Sequence, residues 1–120
     1  QLITYKERLV VPTLDLYNLK GFNEDLIRTI LSMYLSDGKD DIAEIIKSAE
    51  ENNFTLAGKK SHKLTGSSKT VGALDVAEIA EKLENIFINK PDSYHKQLII
   101  ELQDKFSEVE KHIKHNDLTY

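Results

Sequence analysis

The sequence predicts an all-α fold, an antiparallel up-and-down four-helix bundle with a short extra N-terminal helix or strap. Three observations predict it. Apolar residues recur at helical spacing along most of the chain. Breakers are sparse: 120 residues hold 5 Gly and 2 Pro, and neither Pro12 nor Pro91 interrupts a long periodic segment. The gaps between periodic segments are short, and short connections join antiparallel neighbours. Strand patterning is weak.

Residues 1–13 read as a linker or strap, with the apolar run Leu9-Val10-Val11 ahead of Pro12, and residues 14–120 as one bundle domain. A short turn of helix is expected around Asp15 to Leu19, broken by Gly21. The first long helix begins after Asn23, an N-cap followed by Glu24 and Asp25 in the favourable first turn. Its stripe is Leu26, Ile27, Ile30, Leu31, Tyr34 and Leu35. Ser36-Asp37-Gly38 reads as a turn. A second helix then covers about Asp40 to Glu51, with Ile42, Ile45, Ile46 and Ala49 inward, and Asn52-Asn53 breaks it. A third covers Phe54 to Val71, closed by Gly72 as C-cap. A fourth runs from about Leu74 to Ile88 on Val76, Ile79, Ala80, Leu83, Ile86 and Phe87. Asn89-Lys90-Pro91 ends it. Asp92 or Ser93 caps the last helix, which reaches about Lys114 through Leu98, Ile99, Leu102, Phe106, Val109 and Ile113.

Composition narrows the function. The length suits one domain with one core. Cysteine is absent, which excludes disulfides, Cys-rich zinc sites and thiol nucleophiles. The net charge of −4 argues against a dedicated nucleic-acid binder, which needs a basic footprint. No apolar run approaches the roughly 20 residues that span a bilayer, so no direct membrane contact is expected. No signal-peptide pattern is visible, and a start at Gln1 suggests a piece of a longer protein.

The third helix breaks the rules of a helix built for stability. It holds two internal glycines, Gly58 and Gly66, each costing about 1 kcal/mol relative to Ala. Between and beyond them it is loaded with hydroxyl residues. On a helical wheel Phe54, Ala57, Ser61, Leu64, Ser68 and Val71 share the core side. His62 falls roughly 130° away and faces solvent. Lys59, Gly66 and Lys69 lie on its side, and Thr65 sits between that face and the core. Imidazole titrates near neutrality, so a neutral nucleophilic nitrogen is available. Gly66 removes a side chain beside it, opening a path for a partner's active site. Lys69 and Lys59 place positive charge where a phosphoryl group would sit. A lone histidine on a polar face is ordinarily a surface residue. Its surroundings reverse the odds here.

The run Ser61-His62-Lys63-Leu64-Thr65-Gly66-Ser67-Ser68, then Val71-Gly72-Ala73-Leu74, then Leu83-Glu84 on the next helix, resembles the signature of the histidine-containing phosphotransfer (HPt) family. The resemblance spans roughly Leu14 to Lys114. It implies an antiparallel four-helix bundle, with His62 as the phosphorylated residue and Glu84 bonded to the other ring nitrogen. It implies no cofactor of the chain's own and no ATP site: a phosphocarrier rather than an enzyme. The partners would be response-regulator receiver domains that bring the aspartate and Mg²⁺. The expected setting is a monomeric, cytoplasmic domain, by family habit the C-terminal piece of a hybrid sensor kinase. The family usually carries Lys where this chain has Thr65. Lys63, Lys69 or Lys59 then has to supply the charge. Lys69 is best placed on the wheel, and Lys63 is about 100° from His62.

Two rivals remain. A metal-binding bundle would use His95, His112 and His115. However, the chain lacks the Glu-x-x-His pairs of di-iron bundles, and His95 lies about 25 Å from His112 along one straight helix. A non-catalytic adaptor or dimerisation bundle would need an exposed apolar patch, and the helical stripes account for the apolar residues.

Overall fold

The computed structural model describes residues 10–11, 14–91 and 95–119. The strap expected over residues 1–13 lies largely outside them, as does the cap by Asp92 or Ser93. The described chain runs β1 (Val10–Val11), β2 (Leu14–Asp15), a 3-10 turn (Tyr17–Leu19), then α1 (Glu24–Glu50), α2 (Phe54–Val71), α3 (Leu74–Asn89) and α4 (His95–His115). The four helices form the expected bundle, about 49 Å long. α2 packs most extensively, against α1 on one side and α3 on the other; α4 lies on α3 and closes on α1 more loosely.

One expectation is overturned. The turn at Ser36-Asp37-Gly38 does not exist, and the first two expected helices are the single 27-residue α1. The apolar stripe continues through the triplet, from Ile27, Leu31, Tyr34 and Leu35 to Ile42 and Ile45, all buried. Gly38 is part of that face. A Cβ there would stand 2.5 and 2.7 Å from the Phe106 ring of α4, so the glycine admits a close helix approach and breaks nothing. Leu26 also departs from its assignment, since it is exposed.

The helix ends follow local chemistry. Asn23 accepts from the Leu26 amide at 2.8 Å and Asn53 from the Leu56 amide at 3.2 Å, satisfying donors that the first turn leaves unpaired. Three helices stop in the same way. Asn52, Gly72 and Asp117 each adopt positive φ. The amide after each reaches back to the carbonyl of Ser48, Ser68 or Ile113 respectively, closing a Schellman turn. At Gly72 a second constraint applies. Its carbonyl accepts from the Asp15 amide at 2.8 Å, and a Cβ would overlap the Asp15 carbonyl. β2 is thereby pinned to the α2–α3 corner, with Leu14 and Leu16 fully buried. The small β1–β2 ladder pairs Val11 with Leu14 in antiparallel register, a pairing that strand periodicity did not reveal.

Candidate functional site

The wheel places α2 correctly. Ala57, Ser61, Leu64, Ser68 and Val71 are buried, and Phe54 is partly buried. The buried hydroxyls are satisfied close at hand. Ser61 donates to the Ala57 carbonyl at 2.8 Å, and Ser68 pairs with the Tyr34 hydroxyl of α1 at 2.7 Å. That pairing lies in the core, and burial pushes the Tyr34 phenol well above its ordinary range.

His62 stands on the opposite face with its side chain 76% exposed. Its Nδ1 lies 2.8 Å from Oε2 of Glu84 on α3, a far less exposed carboxylate. The contact fixes the ring at one nitrogen and turns the other, Nε2, outward. Side chains on a helix tilt toward its N-terminus, so the imidazole leans over the preceding turn. There it borders a groove of about 620 Å³ between the start of α2 and the end of α3. Phe54, Gly58, Phe87 and Ile88 form its apolar part, and Lys59, His62 and Glu84 its polar edge. Phe54 and Phe87 stack with centroids 6.0 Å apart. Among the described residues Ile88 is 65% exposed and six other large apolar side chains are also exposed, so the helical stripes do not absorb every apolar residue.

The other candidate residues separate. Gly66 is exposed, and a Cβ there would meet nothing within 4 Å. Thr65 does not reach the site: it is 6% exposed and its hydroxyl donates to the Ser61 carbonyl at 2.8 Å. Lys63 turns away to Asp41 of α1, with Nζ 3.1 Å from Oδ1. That bond, and the Asp41 charge behind it, raise the ammonium above its usual range. Lys69 points to Glu81 on α3 at 3.8 Å, two turns beyond His62. Lys59 borders the groove together with His62. The groove itself went unread in the sequence. Its signal was Gly58, noted as a helix breaker, lying one turn before the histidine.

Among the described residues, no three His, Cys, Asp or Glu side chains gather in a way that could hold a metal ion. His95 is instead packed against Phe54 and Phe87. No helix among them is long and apolar enough to cross a membrane.

The family model of the Hpt domain matches residues 29–114, from within α1 nearly to the end of α4. The chain belongs to the Hpt domain family. No curated protein and no solved structure gives a significant match. Hpt domains are histidine phosphotransfer modules of phosphorelays. In this Hpt domain His62 sits mid-helix, exposed, with its Nδ1 held by a carboxylate of the neighbouring helix.

Proposed function

We propose that this Hpt domain takes a phosphoryl group from a receiver-domain aspartate onto Nε2 of His62 and passes it to a second receiver. The observation that carries the reading is the 2.8 Å contact between Nδ1 and Glu84 on an otherwise exposed ring. A proton on Nδ1, donated to Glu84, leaves the Nε2 lone pair directed at solvent. Nε2 attacks phosphorus, the new N–P bond forms, the P–O bond to the partner's aspartate breaks, and the carboxylate leaves with the bonding pair. The ring gains a positive charge beside the Glu84 carboxylate. Reversal onto another aspartate restores neutral His62. Positioning and charge, rather than acid–base chemistry by this chain, account for such a transfer. The cation that neutralises the aspartyl phosphate belongs to the partner, since Glu84 is the one carboxylate lining the described groove and already faces Nδ1.

Gly66 supports the reading. A side chain there would tilt toward the turn that carries His62. Because a Cβ would touch nothing, packing does not require the glycine. Its use is clearance for the partner. Docking is expected to be small and transient, by a monomeric domain.

The test is transfer from a phosphorylated receiver, with Mg²⁺ present, to the wild type and to His62→Gln. An acid-labile phosphate on the wild type and none on the folded variant is expected. No label on either across a panel of receivers would instead favour a non-catalytic adaptor bundle. Gly66→Leu is expected to block transfer in a folded protein; unchanged transfer would refute the clearance role.

A further inference from the structure

We propose that Lys59, one turn before His62, is the residue that binds the phosphoryl group of the phosphorylated domain. The inference rests on the reading of His62 as the phosphorylated residue and names the charge that this site uses.

A phosphoryl group on Nε2 carries close to two negative charges near neutrality. It needs a cation within reach, and four positions compete. Thr65 has no charge and is buried with its hydroxyl bonded to its own helix. Lys63 is drawn round the helix to the almost fully buried Asp41, and its nearest opposite charges, Asp37, Asp40 and Asp41, all lie on α1. Lys69 shares the outer face but stands seven residues on, about 10 Å along the axis, and inclines to Glu81. Lys59 is three residues before His62, about 5–6 Å away between Cβ atoms. The N-terminal tilt of the imidazole brings Nε2 toward that turn and away from Lys69. The groove records the same bias: His62 borders it together with Thr55, Gly58 and Lys59, and with neither Gly66 nor Lys69. Lys59 is exposed and has no ion pair among the described residues, so nothing has to be broken for its ammonium to swing onto the phosphoryl oxygens. Glu84 lines the same groove and is occupied at Nδ1.

The experiment uses potassium phosphoramidate, which gives its phosphoryl group to an imidazole with loss of ammonia and needs no receiver. The second ionisation of the phosphoryl group on His62 is then followed by phosphorus NMR in the wild type, Lys59→Ala, Lys59→Arg, Lys63→Ala and Lys69→Ala. An exposed ammonium at this distance lowers that ionisation by roughly half a unit at low salt, less as salt screens it. Lys59→Ala is expected to raise it by that amount, Lys59→Arg to restore it, and the other two to shift it by less than about half of that span. A larger shift in Lys63→Ala or Lys69→Ala, or no shift in any variant, overturns the assignment. Thermal melts of Lys59→Ala should match the wild type, separating charge from fold. If His62 takes the chemical label but exchanges it with no receiver, the phosphorelay reading fails while the titration still decides on Lys59. If His62 takes no label at all, both fail.

Discussion

The same substitution at two glycines is expected to act with opposite sign. Glycine inside a helix costs about 1 kcal/mol relative to alanine. At Gly66 that gain is unopposed, because a Cβ meets nothing within 4 Å. Gly66→Ala should therefore stabilise the domain by up to about 1 kcal/mol. At Gly38 the same Cβ would lie 2.5 and 2.7 Å from two ring carbons of Phe106. That ring is nearly fully buried and packs on Tyr34 with centroids 5.6 Å apart. Forcing an extra carbon into a packed core costs about 1–3 kcal/mol. The groove beside Phe106 on the α1–α4 seam lets the ring yield partly, so a cost near 2 kcal/mol is the working value. Net of propensity, Gly38→Ala should destabilise by about 1 kcal/mol. The two variants should thus differ by about 2 kcal/mol, or roughly 8 °C in melting temperature for a domain of this size. Urea denaturation of the three proteins measures it. Equal stabilisation by both substitutions would show that contact with Phe106 is not why glycine stands at position 38.

Three further outcomes follow from the same geometry. Glu84→Ala should slow receiver-to-His62 transfer about tenfold by freeing the ring, and Glu84→Gln, which keeps an acceptor oxygen, should lose less; stopped-flow transfer with one receiver distinguishes them, and equal rates in all three proteins would remove the orienting role. Gly72→Ala should cost about 1–3 kcal/mol in urea denaturation, because positive φ and overlap with Asp15 act together. Tyr34 has its phenol raised by burial, so the unfolded chain releases that proton first. Its contribution to stability is complete below about pH 10 and falls as pH rises toward the folded value. Tyr34→Phe should flatten that alkaline decline while costing about 1–2 kcal/mol at pH 7, since Ser68 loses its partner; an unchanged alkaline slope would count against it.

What was legible in the sequence was what helical geometry alone determines. The wheel placed His62 outside and Ser61, Leu64 and Ser68 inside. Gly72 marked the end of α2, while the carboxylate on Nδ1 came from the family resemblance at Leu83-Glu84 and not from geometry. What was illegible depends on contacts distant along the chain. Ser36-Asp37-Gly38 carries a local turn signal, and only Phe106 on α4 reveals that the glycine serves a helix crossing. Lys63 and Lys69 differ on the wheel by angle, but their partners, Asp41 and Glu81, sit on other helices. A wheel also omits tilt along the axis. That tilt is what the proposal for Lys59 adds to the angular ranking, which put Lys69 first.

The hydroxyl-rich face of α2 explains how a helix can carry an exposed nucleophile without weakening the bundle. Small core residues let α1 and α3 approach α2 closely, and hydroxyls among them would ordinarily be a liability when buried. Ser61 and Thr65 each return their proton to a carbonyl four residues back, so neither depends on a partner helix. Ser68 is different, because it bonds Tyr34 across the interface. The two kinds of serine should therefore respond differently to alanine. In Ser61→Ala the Ala57 carbonyl keeps its helix bond, and back-bonding itself slightly disfavours a helix, so stability should change by less than about 0.5 kcal/mol. Ser68→Ala strands the Tyr34 hydroxyl in the core and should cost about 1–3 kcal/mol. Since both positions face away from His62, neither variant should alter the titration of a phosphoryl group on that ring. A change in that titration with Ser61→Ala would mean that the core face and the chemical face of α2 are coupled, contrary to the independence that this pattern of hydrogen bonds implies.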